Sequence, residues 1–252
     1  KDLVKELKSL VLQKKIEESY ELLKKEEKLN PDVAVRSSAT TEDLIGASFA
    51  GQQETYLNVE GKEELMEAIR KCFASLFTDR AISYRQDKGF NHFDIALSVG
   101  VQRMVRSDLG SSGVAFTLDT ETGFDGAIII NGAFGLGELI VQGEVVPDEW
   151  ILFKEGLRRG FRSIISKKIG NKNKKIIYSE NGGTKLVGTL KNESSAFCLS
   201  DKEVLLLGNW CQKIEDYFSN KYKRKQPMDI EWAKDGKTGD LFIVQARPET
   251  VH

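Results

Sequence analysis

The chain has 252 residues, with 37 Lys and Arg against 38 Asp and Glu, a formal net charge of −1 and three cysteines. That length buries a sizeable core without staples, and the near balance of charge lacks the basic excess that nucleic acid or an anionic membrane surface demands, so neither partner is expected. Cys72, Cys198 and Cys211 lie far apart with no C-x-x-C spacing, a pattern that argues against a disulfide framework or a zinc site and points to a reducing, cytoplasmic setting.

From Lys1 to about Leu29 the apolar residues Leu3, Val4, Leu7, Leu10, Val11, Ile16, Tyr20 and Leu23 follow helical spacing among Lys and Glu, which predicts one or two amphipathic helices. The charged opening "KDLVKELKSL" is not a secretory signal, and no run of about 18 apolar residues follows anywhere. The missing initiator Met and the abrupt end "PETVH" point to a piece of a longer polypeptide. Asn30-Pro31 breaks the helical pattern, and "VAVRSSA" then reads as a buried strand ending in small polar residues. A Gly/Ala/Ser-rich loop feeds a strand over Thr55 to Val59, and residues 62 to 88 return to helix with a break near Thr78.

After Gly89 the pattern turns to strands: "IALSVGVQRMV", "SSGVAFTLD", "GAIIINGAFG", "EWILFKE" and "RSIISKKIGNKNKKIIYS". The last of these is expected to form a hairpin whose Lys-rich tip, Lys167 to Lys175, is solvated. A helix fits Ser200 to Tyr217, with Ser200 as N-cap and Glu203 in the capping-box position. The closing hairpin follows it. Strands grouped together and flanked by helices predict an α+β fold with largely antiparallel sheets.

The closing hairpin carries chemistry. Side chains alternate along a strand, so Asp229 and Glu231 share one face while Met228, Ile230 and Trp232 occupy the other. On the second strand Leu241, Ile243, Gln245 and Arg247 are expected together, and an odd-to-odd register gathers Asp229, Glu231, Gln245 and Arg247 on a common face. Carboxylate and amide oxygens are the hard ligands that Mg²⁺ takes, and Arg supplies a fork for phosphate oxygens. An exposed Asp229–Arg247 ion pair of little energetic weight is the alternative reading of the same spacing. Gly236-Lys237-Thr238 imitates the end of a Walker A loop, but Glu231 stands where that motif needs Gly, so Lys237 reads as a solvated turn residue.

Elsewhere, Arg36 with Ser37 and Ser38 leaves a strand where a loop begins, and "ASFAGQQET" joins small residues to Gly51 and Thr55, a backbone light enough to close over an oxyanion. "INGAFGLGEL" does not complete the dinucleotide fingerprint and reads as a tight bend. Gln102 interrupts an apolar strand and is placed either to bond a base or ribose edge or to satisfy a neighbouring backbone group. His92 reads as a surface or partly packed residue, and Arg80 and Arg85 as solvated or locally paired.

The stretches "VAVRSSATTEDLIGASFAGQQETYLNV", "CFASLFTDRAISYR", "VGVQRMVRSDLGSSGVAFTLDTETGFD", "GLGELIVQGEVVPDE" and "PMDIEWAKDGKTGDLFIVQARPET" occur in one order, and together they closely resemble the nucleotide-binding domain of the phosphoenolpyruvate synthase (pyruvate, water dikinase) family. Pyruvate phosphate dikinase and rifampicin phosphotransferase belong to the same group. The resemblance implies an ATP-grasp fold over residues 31–252, with residues 1–30 as a helical segment of an incomplete N-terminal lobe. It implies ATP and Mg²⁺ as ligands, and transfer of a pyrophosphoryl unit from ATP to a histidine on a separate swivelling domain that serves a pyruvate-binding barrel. Residue by residue, it places Arg36 at the ATP phosphates, Gly51 and Thr55 in the phosphate-covering loop and Gln102 at the nucleotide. It places Glu231 and Gln245 at Mg²⁺ with Asp229 in support, and Arg247 at the transferring phosphates, with Arg36 and Arg247 as the catalytic pair.

Three departures limit what the resemblance implies for this chain. The family's "GGK"-type lysine would precede these residues, neither His92 nor His252 stands in a phosphohistidine motif, and the barrel lies outside the sequence. Weak nucleotide binding at most, and no phosphoenolpyruvate synthesis, is expected of the chain by itself. The same machinery serving another acceptor, or a noncatalytic nucleotide-binding module, stays open as an alternative.

Overall fold

A computed structural model of the protein describes residues 10–27, 31–39, 43–44, 47–48, 54–92, 94–180 and 182–249. The chain divides into two compact units, residues 1–104 with 179–184, and residues 105–178 with 185–252.

In the first unit, α1 (Leu10–Glu27) precedes the strand β1 (Val33–Ala39). A two-residue ladder of β2 (Asp43–Leu44) and β3 (Ala47–Ser48) leads to β4 (Thr55–Val59). The predicted helical stretch is α2 (Gly61–Ala74), a 3-10 turn and α3 (Asp79–Asp87), broken at Thr78, whose side chain caps α3 by accepting from the Ala81 N–H. β5 (Leu97–Arg103) completes a three-stranded antiparallel sheet in the order β4-β1-β5. Val33 and Val35 are fully buried with Leu65, Ile69 and Cys72 of α2, and Ile16, Tyr20 and Leu23 of α1 join the same core. The described part of the helical segment expected over residues 1–30, Leu10–Glu27, thus packs into the first unit. Alternation then puts Ala34 and Arg36 on the opposite face of the sheet.

Of the two expected placements of Arg85, the local pairing holds and the solvated one does not. Arg85 is 1% exposed, and its Nε donates to His92 Nδ1 at 3.0 Å, which requires the imidazole to present a lone pair there. One helical turn separates it from the buried Ala81, so α3 turns this arginine inward, and burial pulls its pKa down.

The second unit is built on a six-stranded antiparallel sheet in the order β13-β12-β6-β7-β8-β9. In chain order its elements are β6 (Ser111–Phe116), β7 (Ala127–Phe134), α4 (Glu138–Val141), β8 (Asp148–Phe153), α5 (Lys154–Arg158) and β9 (Ile164–Lys168). β10 (Lys174–Tyr178) and β11 (Thr184–Gly188) form a separate two-stranded sheet. Then come α6 (Lys191–Ser194), α7 (Asp201–Tyr222), β12 (Met228–Lys234) and β13 (Leu241–Pro248).

Helix α7 covers one face of the large sheet. Its Val204, Leu207 and Cys211 meet Ile128, Ile130, Trp150, Leu152, Ile230 and Trp232, all essentially inaccessible to solvent. The Ser200–Glu203 capping box starts this helix as predicted, but it runs past Tyr217 to Tyr222, and Lys223 ends it in the left-handed region. The extra turn carries Tyr222, whose ring lies 6.0 Å from that of Phe218. Trp232 explains two glycines: it pairs with Gly113, which pairs with Gly132, and a Cβ on either glycine would come within 2.7 Å of the indole. The sheet can seat this Trp only because its neighbours have no side chain.

The hairpin expected over Arg162 to Ser179 does not form: β9 pairs with β8, and β10 with β11. Lys172, expected at a solvated tip, is 0% exposed and pairs with the equally buried Asp148 at 2.5 Å. The Asp148 carboxylate also accepts from the Gly170 N–H (2.9 Å) and the Cys198 N–H (2.8 Å), so every part of the buried charge is matched. Charge density along a ten-residue window misses a partner more than twenty residues upstream. A second internal pair, Lys154–Glu215 at 2.7 Å, ties α5 to α7, and Gln212 Nε2 donates to the Lys154 carbonyl.

Removing one partner of the deeper pair should be costly. Lys172→Met is expected to destabilise folding by about 3–5 kcal/mol, because it strands the Asp148 carboxylate in the interior. Urea denaturation checks this, and a loss below about 1 kcal/mol would show that the pair is not what holds this segment.

Candidate functional site

In each unit the described candidate residues lie on the sheet face opposite the main helical core. In the second unit, β12 pairs with β13 so that Asp229 stands opposite Arg247 and Glu231 opposite Gln245. These four side chains therefore share the face away from α7, while Met228, Ile230 and Trp232 are buried beneath it. The register shifts immediately afterwards, and Trp232 pairs with Ile243. Val244 is the extra residue of a β-bulge.

That bulge corrects one expectation. Leu241 and Ile243 do not lie with Gln245 and Arg247 but pack against the α7 core, together with Ala246. An inserted residue reverses the alternation, so one strand is apolar toward the core on both sides of the bulge while delivering Gln245 and Arg247 to the open face.

Arg247 is held by Asp229: its Nε donates to Oδ2 at 2.8 Å and its other guanidinium nitrogen comes to 2.7 Å of the same oxygen. The Asp229 side chain is 12% exposed and that of Arg247 30%, so this is a partly sheltered pair. Burial pushes the Asp229 carboxyl above its ordinary value, against the guanidinium, which pulls it down. The surface ion pair considered from spacing alone is therefore present, and it aims the guanidinium along the same face as Glu231 and Gln245. A carboxylate opposite an amide oxygen is a donor set suited to Mg²⁺. Among the described residues no three His, Cys, Asp or Glu side chains gather as a metal cage, so a cation here would draw its remaining ligands from water and an anionic ligand.

The sheet order adds residues that the sequence reading missed. Glu231 pairs with Val114, Val114 with Asn131, Asn131 with Glu149, and Glu149 with Lys168. Gln245, Glu231, Asn131, Glu149 and Lys168 thus form one row across the open face, with Asn131 roughly 10 Å from Glu231 at the usual strand spacing. The adjoining row runs from Arg247 and Asp229 to Phe116, Ile129 and Ile151, an apolar floor beside the charged end. Their common face could not be read from the sequence, because strand parity has no meaning across a sheet until the strand neighbours are known. Glu138, in the bend "GLGEL", is also half-buried, and burial raises its carboxyl pKa.

In the first unit, Arg36 pairs with Thr55 on one side and with Gly100 on the other, while Ala34 pairs with Gln102. Arg36, Thr55 and Gln102 consequently share the face opposite the α1–α2 core. Gly51, expected in a phosphate-covering loop, lies outside the described residues.

The family described as "Pyruvate phosphate dikinase, AMP/ATP-binding domain" matches residues 5–252. Among relatives, a phosphoenolpyruvate synthase of Aquifex aeolicus is 57% identical over 243 residues, covering 96% of this chain and 28% of that protein. One of Helicobacter pylori is 54% identical over 244 residues, 95% of this chain and 30% of its own length. One of Escherichia coli is 49% identical, again over 95% of this chain and 30% of the relative. The chain spans less than a third of the length of these curated relatives.

Because Asp229 is raised, the native state holds its proton more tightly than the unfolded chain does. Its contribution to stability therefore falls as pH rises from the ordinary carboxylate value through the folded one. Arg247→Ala removes the opposing pull and should move the Asp229 titration to still higher pH, which carbon NMR of the side-chain carboxyl reads directly. An unchanged or lower titration point would mean that the guanidinium does not govern this acid.

Proposed function

The chain belongs to the pyruvate phosphate dikinase AMP/ATP-binding domain family, whose fold is of the ATP-grasp type, and on that premise we propose that it is the Mg-ATP station of a longer phosphoenolpyruvate synthase. The whole enzyme would convert ATP, pyruvate and water to AMP, phosphoenolpyruvate and phosphate. In the first step a histidine nitrogen on a separate domain forms a bond to the β-phosphorus of ATP, and the bond from that phosphorus to the α-phosphate bridging oxygen breaks, so AMP leaves. Water then releases phosphate and leaves a phosphohistidine, which phosphorylates pyruvate at another site. The residues of this chain serve only the first step.

The reading rests on one observation: Glu231 and Gln245 face each other across β12 and β13, with Arg247 one pair further along the same face. Glu231 and Gln245 would hold Mg²⁺, with Asp229 in support; bound there, the cation offsets phosphate charge. Arg247 would donate from its fork to the transferring phosphate oxygens, and Asp229 presets the direction of that fork. Arg36 would contact the ATP phosphates, Thr55 and Gly51 would belong to the phosphate-covering loop, and Gln102 would bond the nucleotide. Phosphoryl transfer asks a protein chiefly to position groups and to neutralise charge, which such a set of side chains can do. Among the described residues no helix is long and apolar enough to cross a membrane, and a cytoplasmic setting accords with that.

In the full-length protein, Arg247→Ala should lower the rate of AMP formation from ATP by about a hundred- to a thousand-fold, with little change in folding. Glu231→Gln should also raise the Mg²⁺ concentration needed for half-maximal rate. Radiolabelled ATP measures both, with and without pyruvate. AMP formed at the parental rate by either variant would remove that residue from the site, and pyruvate-independent transfer to another acceptor would redirect the reaction.

A further inference from the structure

The turn between β12 and β13 is bound tightly to a distant segment. Asp235, 7% exposed, accepts through Oδ1 from the backbone N–H groups of Lys237 (2.7 Å) and Thr238 (3.1 Å), and through Oδ2 from the N–H of Arg106 (3.3 Å). The Gly236 N–H donates to the Arg106 carbonyl at 3.0 Å. A Cβ on Gly236 would fall 2.2 Å from the Leu109 carbonyl, and one on Gly110 would fall 2.3 Å from the Lys234 oxygen, so the two backbones touch.

The Arg106 side chain extends this clamp. Its guanidinium pairs with both carboxylate oxygens of Asp108, at 2.8 and 2.9 Å, and lies 4.6 Å from the centre of the Tyr178 ring. Asp108 is 3% exposed, which makes the fork a sheltered one. Chain position gives the cluster its meaning. The chain enters the second unit between Met104 and Val105 and leaves it between Tyr178 and Ser179. Arg106 therefore joins both crossings to the turn of the hairpin that carries Glu231 and Gln245.

That hairpin has a weakness at its bulge. A bulge can migrate along a strand, and a slide of one residue would carry Gln245 to the core face and bring Val244 to the open one. With the turn pinned, Leu241, Phe242 and Ile243 keep their partners on β12, and Ala246 packed in the α7 core bounds the bulge from the other side, so the extra residue falls between them, at Val244. We propose that Asp235 and Arg106 are positioning residues that lock the register of the bulged hairpin and so keep Gln245 opposite Glu231 for Mg-nucleotide binding. The inference rests on the reading that those two side chains serve Mg-ATP.

Calorimetric titration of Mg-ATP into the full-length protein tests it, together with the Mg²⁺ dependence of AMP formation. Asp235→Ala should weaken nucleotide binding about ten- to a hundred-fold and raise the Mg²⁺ requirement, as expected when support for a metal ligand is lost. Asp235→Asn keeps one oxygen for the Lys237 and Thr238 N–H groups but sets an amide NH2 against the Arg106 N–H, so it should weaken binding about tenfold with the turn retained, a loss that turn packing alone does not predict. Arg106→Lys keeps the charge but loses the fork and the stacking, and should weaken binding about tenfold. Parental affinity in a folded Asp235→Ala or Asp235→Asn protein overturns the proposal. If Asp235→Ala does not fold, Arg106→Lys decides: parental affinity overturns the proposal, and a tenfold loss with unchanged melting temperature supports it. Failure of the parent itself to bind Mg-ATP would defeat the functional reading instead, and the clamp with it.

Discussion

The pairing of Glu231 with Gln245, with Val244 left over before Ile243, is the constraint on which the second unit depends. Strand β13 has to bury Ile243 and Ala246 against α7 and also present an amide and a guanidinium on the other side. Strict alternation puts residues 243, 245 and 247 on one face and cannot do both. A single bulge resolves the conflict at the cost of local pairing, and the edge of the sheet is where such a loss is tolerated. The glycines beside Trp232 serve the same end, because a flat, well-seated indole lets β12 lie close to β6 and brings Glu231 into the row with Asn131 and Glu149.

Charge is treated differently on the two sides of this sheet. Below it, Lys172–Asp148 and Lys154–Glu215 are closed pairs, both buried and with backbone partners besides. They neutralise what they bury and leave nothing to offer a ligand. Above it, the Asp229 and Arg247 side chains keep some exposure. A phosphate arriving there would find a guanidinium already aimed, which lowers the cost of ordering it on binding.

Local order was legible from the residues. Helical spacing, the Thr78 break, the Ser200–Glu203 capping box and the alternation of Met228 to Trp232 each involve groups within about one turn or a few strand residues, so the chemistry that fixes them is written contiguously. The α+β class and the antiparallel pairing followed from the grouping of those elements. The site was legible in part for the same reason: Asp229 with Glu231, and Gln245 with Arg247, are neighbours at the period of a strand.

Tertiary structure decided the rest. Whether Lys172 is solvated depends on Asp148, and whether Arg85 turns inward depends on how α3 packs, neither of which a window of sequence contains. Asn131, Glu149 and Lys168 join Glu231 only because β6, β7, β8 and β9 follow β12 across the sheet. The turn between β12 and β13 is anchored on Arg106, more than a hundred positions away, a contact that no window of sequence contains. Periodicity specifies which face a side chain takes relative to its own neighbours; which elements meet that face is set by packing free energy summed over the folded unit.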